Sequence, residues 1–165
     1  MFQRQFRVAL IDDEYDDVVN VEAVLQATGL ISVDYYGSYD IFLSKHQDVE
    51  KACESVDLFV LDVYMQEDNP EPFKRFVEMI KGLKPFIAYT RLNEIDDIEL
   101  GHGNFEELRP WIIERCGLGL VTKENREFRS VEHEARRDRE FQLSEVVISR
   151  YWTWRVAWEV GLARS

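Results

Sequence analysis

Asp12, Asp13, Asp62, Thr90 and Lys123 share a placement, each standing at or just beyond the end of a short apolar run. Asp12 and Asp13 follow FRVALI at 6–11, and Asp62 follows VDLFVL at 56–61. Thr90 follows PFIAY at 85–89, and Lys123 comes close behind LGLV at 118–121. Three carboxylates brought to one place repel one another, and all stay ionised near neutral pH only beside a cation. Oxygen-only ligands favour Mg2+, which keeps several waters and readily bridges phosphate oxygens. A lysine adds a point charge for a phosphate, and a hydroxyl adds a hydrogen-bond donor. Such a set stabilises the charge on a phosphoryl group in transfer, with Asp62 as a carboxylate nucleophile able to form an acyl phosphate.

That chemistry requires the five residues on one edge, which the intervening elements must provide. FRVALI is a short apolar run with β-branched members, interrupted only by Arg7, and looks like a buried parallel strand. Val18, Val21, Val24 and Leu25 then recur at helical spacing, and Gly29 closes that helix. The acidic residues Asp12, Asp13, Glu14, Asp16 and Asp17 suit the positive end of its dipole. Ile31 to Tyr36 is a second strand, and Ser38 caps a helix through Ile41, Phe42 and Leu43. Val56 to Leu61 is a third strand. Pro70 and Pro72 open a helix carrying Phe73, Phe76, Val77 and Ile80. Pro85 to Tyr89 is a fourth strand, residues 93–104 a polar loop, Phe105 to Arg115 a helix containing Pro110, and Leu118 to Val121 a fifth strand. The alternation predicts an α/β fold: a flavodoxin-like, open five-stranded parallel sheet with helices on both faces. Right-handed crossovers bring every strand's carboxyl end to the same edge, where such sheets bind ligands.

The character of the chain changes after Lys123. Residues 124–140 are densely charged with mixed signs, the pattern of a solvated helix. From Gln142 to Leu162 two apolar stripes run side by side, one through Val147, Tyr151, Trp154 and Trp158, the other through Ile148, Trp152, Val156 and Val160. The chain therefore divides into a domain over 1–140 and a Trp-rich, C-terminal helical extension over 141–165. The extension packs back as an extra core layer or forms a dimer or partner interface, and aromatics of this size favour the interface.

Composition narrows the function. With 165 residues, 45% of them hydrophobic, the chain is long and apolar enough for one ordinary domain with a real core. A net charge of −12 argues against broad contact with nucleic-acid phosphates. Cys53 and Cys116 form no CxxC pair and are expected to be small core residues. His46, His102 and His133 are expected at the surface. No apolar signal segment and no membrane-spanning stretch is present, so the expected location is cytoplasmic.

The ordered set VALIDDE, DLFVLDVYM, FIAYT and GLGLVTK resembles the receiver domain of bacterial two-component response regulators, over about residues 4–140. The resemblance implies that Asp62 is the phospho-acceptor. It implies that Asp13 binds Mg2+ directly, that Asp12 acts mostly through a water, and that the backbone carbonyl of Tyr64 completes the metal site. Thr90 would contact the phosphoryl group and shift toward it, and Lys123 would pair with a phosphoryl oxygen. The phosphodonor would be a phosphohistidine on a sensor histidine kinase or a phosphotransfer protein. No DNA-binding or catalytic output domain is expected after the switch, so output would run through protein contacts, with a homodimer through the C-terminal helices as one form.

Four positions depart from the family pattern. Gln66 replaces a usual proline, the bulky Arg91 follows Thr90, Leu120 stands where an aromatic often switches rotamer, and Glu124 replaces the proline of a cis bond. They bear on output more than on phosphoryl chemistry. Arg91, Leu120 and Glu124 favour one rival, a pseudo-receiver adaptor that has kept the fold and lost the switch, and the intact Asp/Lys set opposes it. A second rival is a Mg2+-dependent phosphohydrolase with an aspartate nucleophile, against which Asp12 and Asp13 are adjacent where such enzymes carry a DxD pair.

Overall fold

Strict alternation along the apolar runs builds one sheet with two buried faces. Its strands are β1 (Phe6–Ile11), β2 (Ile31–Tyr36), β3 (Leu58–Leu61), β4 (Phe86–Arg91) and β5 (Gly117–Lys123). All pair in parallel, in the order β2-β1-β3-β4-β5. The computed structural model describes residues 4–46, 48–63, 70–91, 105–115, 117–123 and 133–159.

Phe6, Val8 and Leu10 face one core together with Leu58, Val60, Ile87 and Tyr89. Ala9 and Ile11 face the other with Phe59, Leu61, Phe86 and Ala88. Successive strand residues point to opposite faces, so a continuous apolar strand needs cover on both sides. Helices α1 (Val19–Ala27) and α6 (His133–Glu159) contribute Val21, Leu25, Leu143, Val147 and Tyr151 to the first core. Helices α2 (Tyr39–Ser44), α3 (Val49–Glu54), α4 (Glu71–Ile80) and α5 (Phe105–Glu114) contribute Phe42, Cys53, Phe76 and Ile112, among others, to the second. This is the flavodoxin-like arrangement expected, an open five-stranded parallel sheet with helices on both faces.

Local signals account for most of the boundaries. Gly29 has φ of +71°, the left-handed conformation that ends a helix, and its N–H donates to the Gln26 carbonyl. In α4, Phe73, Phe76, Val77 and Ile80 are buried, one apolar face at helical spacing. Between β2 and β3 the structure departs from the single expected helix. The Ser38 side chain caps α2 through the Ile41 N–H, and the Asp48 side chain caps α3 through the Lys51 N–H. A second cap within ten residues starts a second helix. Strands β4 and β5 run further than expected, so Thr90 lies inside β4 opposite Thr122, and Arg91 is opposite Lys123. Pro110 sits within α5, on its exposed side.

At the amino edge of the sheet, buried Asp57 accepts hydrogen bonds from the Arg7 N–H at 2.9 Å and from the Arg4 guanidinium at 2.7 Å. This carboxylate fastens the entrance of β1 to that of β3. Arg4 lies over the ring of Trp154, 5.2 Å from its centroid, which ties α6 to the same corner. His46, expected at the surface, is half-buried with its ring 4.9 Å from that of Phe42.

The boundary expected at 140/141 falls inside α6, an unbroken helix of 27 residues. Its two apolar stripes have different fates. Leu143, Val147 and Tyr151 are buried in the core of the sheet, and Trp154 packs on Phe6 with ring centroids 5.1 Å apart. On the neighbouring stripe Ile148 packs, partly buried, against the same core, whereas Trp152 and Val156 are 51% and 56% exposed. Burial of one stripe follows from contact with α1 and the first strand, which no pattern within the helix encodes. Among the described residues, no helix is long and apolar enough to cross a membrane.

Candidate functional site

Asp12 and Asp62 directly follow the adjacent strands β1 and β3. Ile11 is in register with Leu61, so the next residue of each strand emerges at the same level of the carboxyl edge. The strand order reverses direction between β1 and β3, and crevices at such switch points are where open α/β sheets hold ligands. The backbone N–H of Asp62 donates to the Ile11 carbonyl at 2.9 Å, and that of Asp12 to the Tyr36 carbonyl at 3.0 Å. Each aspartate is thus still tied to a neighbouring strand through its amide while its side chain leaves the sheet.

One carboxylate oxygen each of Asp12, Asp13 and Asp62 lies within 4.8 Å of the other two. Asp12 is 2% exposed and Asp62 3% exposed, with Asp13 half-buried. The Asp12 Oδ1 accepts the Glu14 N–H at 2.9 Å, a short turn that folds the chain back beside its own carboxylate and orients it. Sheltered carboxylates at this spacing are held apart from water, so their repulsion is weakly screened. An all-oxygen donor set of this kind fits a hard divalent cation such as Mg2+ and not a soft metal.

Two tyrosines complete the site's scaffold, and neither stands out in the sequence. The Tyr35 hydroxyl donates to the backbone carbonyl of Asp12 at 2.5 Å, and the Tyr39 hydroxyl donates to that of Asp62 at 2.5 Å. Tyr39 is buried, and burial raises its phenol well above the ordinary value, with the charges of Asp62, Asp12 and Asp13 adding to the effect. The available signal was position. Both tyrosines flank the carboxyl end of β2, on the same edge as the aspartates, but a tyrosine in or beside a strand is ordinary strand composition.

The remaining expected residues are placed by backbone alone. Thr90 and Lys123 occupy the last rungs of the β4–β5 ladder, at the same carboxyl edge. Tyr64, expected to offer its carbonyl, lies outside the described residues, as do Gln66, His102, Cys116 and Glu124.

No protein-family model matches the sequence, and no curated protein matches it. Solved structures do. The response regulator domain of CheB from Thermotoga maritima aligns with a TM-score of 0.56 at 16% identity, covering 91% of this chain and 96% of that one. A response regulator receiver domain protein from Clostridium thermocellum aligns with a TM-score of 0.55 at 15% identity, covering 92% and 98%. A chain of the complex between the P1 domain of CheA3 and CheY6 from R. sphaeroides aligns with a TM-score of 0.50 at 16% identity, covering 83% and 96%. At these identities the likeness is one of architecture, and the chain has the fold of a response regulator receiver domain.

Proposed function

We propose that this chain is a phosphorylation-dependent signalling switch of the two-component type, with Asp62 as phospho-acceptor. The observation that carries the reading is the convergence of three carboxylates at the switch point of a receiver fold, two of them buried. A carboxylate oxygen of Asp62 attacks phosphorus, the bond from phosphorus to the donor breaks, and an acyl phosphate forms on the side chain. Mg2+, when bound, neutralises the carboxylates and the charge on the phosphoryl oxygens. Asp13 would hold it directly and Asp12 through a water, with Asp62 and the Tyr64 carbonyl completing the set. Thr90 would hydrogen-bond the phosphoryl group, and Lys123 would pair with one of its oxygens.

The donor is a phosphohistidine on a sensor histidine kinase or phosphotransfer protein. The complex of the P1 domain of CheA3 with CheY6, one chain of which shares this fold, supports a partner protein of this kind. The protein at most catalyses its own phosphorylation and dephosphorylation, and it acts through protein contacts. The exposed stripe at Trp152 and Val156 is the surface for them, in a homodimer through α6 or with another partner. Direct nucleic-acid binding is disfavoured by the net charge of −12. Arg91, Leu120 and Glu124 favour a second reading, a pseudo-receiver adaptor whose output ignores phosphate.

Intact-mass spectrometry after incubation with Mg2+ and a small acyl phosphate separates the two. The switch requires a Mg2+-dependent phosphoryl adduct on the wild type and none on Asp62→Asn. Absence of an adduct, together with no Mg2+-linked binding of beryllofluoride, leaves the adaptor.

A further inference from the structure

We infer that Tyr39 and Tyr35 are positioning residues of the acid site, clamping the backbone carbonyls of Asp62 and Asp12 so that the carboxylates are set before a cation arrives. The inference rests on the proposed function and deepens it.

Each aspartate stands where a strand leaves the sheet. Its amide is still bonded to the neighbouring strand, Asp62 to Ile11 and Asp12 to Tyr36. The pairing of β3 with β4 ends at Leu61 and Ala88, so the Asp62 carbonyl lies one residue beyond the ladder. Asp62 and Val63 on either side of that peptide are both buried, and a buried carbonyl requires a donor. The Tyr39 hydroxyl provides it at 2.5 Å. The Asp12 carbonyl receives the Tyr35 hydroxyl in the same manner, also at 2.5 Å. With the N–H held on one side and the C=O on the other, the peptide planes around both aspartates lose the freedom to rotate. The side-chain directions follow from those planes.

The clamp is itself held. The Tyr39 ring packs 4.9 Å from that of Phe76 on α4, and the Tyr35 ring meets Tyr15 edge-on at 4.8 Å. Tyr35 lies at the carboxyl end of β2 and Tyr39 at the start of α2, so the β2–α2 junction serves both aspartates. Removing a hydroxyl leaves ring packing intact and removes the bond from it to one carbonyl. Supporting contacts of this kind typically change metal affinity by about 10–100-fold when lost.

Calorimetric titration with Mg2+ tests the clamp on the wild type, Tyr39→Phe, Tyr35→Phe and Val77→Ala, with folding of each checked by circular dichroism. Tyr39→Phe is expected to fold and to bind Mg2+ about tenfold more weakly. Val77→Ala, which loosens the same core without touching either carbonyl, is expected to keep wild-type affinity. Wild-type affinity in a folded Tyr39→Phe overturns the clamp, as does an equal loss in Val77→Ala. If Tyr39→Phe does not fold, Tyr35→Phe decides in the same way. A wild type that binds no Mg2+ overturns the proposed function and the clamp together, and so is distinguishable from failure of the clamp alone.

Discussion

At Cys53, burial pushes the thiol up from 9.0 to about 11, with Lys84 pulling weakly in the opposite direction. The folded state therefore prefers the neutral thiol more than the unfolded state does. Its contribution to stability is intact below pH 9 and is lost as pH rises toward about 11, because the unfolded chain gives up the proton first. Urea unfolding of the wild type and Cys53→Ala at pH 8 and pH 10.5 should show the advantage of the wild type shrinking at the higher pH. A constant difference between the two proteins would mean that burial leaves the thiol's pKa the same in the folded and unfolded states. The same burial makes the native thiol a poor nucleophile at neutral pH, which suits a core role on α3 and no chemistry.

On the scale of elements, α6 carries the clearest division of labour. Leu143, Val147 and Tyr151 anchor it to the sheet, while Trp152 and Val156 face outward. Leu143→Ala should cost about 2–5 kcal/mol, from lost burial and the cavity left behind. Val156→Ala should stay within about 0.5 kcal/mol, since the residue is more than half exposed. Chemical denaturation of the two variants reads the difference directly, and a large cost at Val156 would show that the outward stripe is covered in solution. Arg155 braces this face, bonded to Glu159 at 2.9 Å and to the Tyr151 hydroxyl at 2.8 Å. An interface on this stripe would then meet a side-chain arrangement already ordered before a partner docks, and preordered side chains lose less entropy on binding.

For the molecule as a whole, the acid edge is where a bound cation would add to the stability of the fold. A cation that binds only the folded state stabilises it by about 2.7 kcal/mol at a hundred times its dissociation constant. For a chain of this size that corresponds to a rise in melting temperature of about 5–10 °C. Thermal melts should show such a rise with Mg2+ for the wild type and a smaller one for Asp62→Asn, and equal rises would separate the cation from Asp62. The sequence by itself determined the parallel sheet, because alternation within unbroken apolar runs demands cover on both faces, and the runs end in residues suited to one edge. It also marked Asp12, Asp13 and Asp62, since a carboxylate directly after a buried strand is conspicuous against its surroundings. Tertiary structure alone decided which stripe of α6 is core, because Phe6, Val8 and α1 lie far from it in sequence. It alone revealed Tyr35 and Tyr39, whose role is a bond from a hydroxyl to a main-chain carbonyl 23 residues away. Every residue carries such a carbonyl, so side-chain types cannot indicate which one is held.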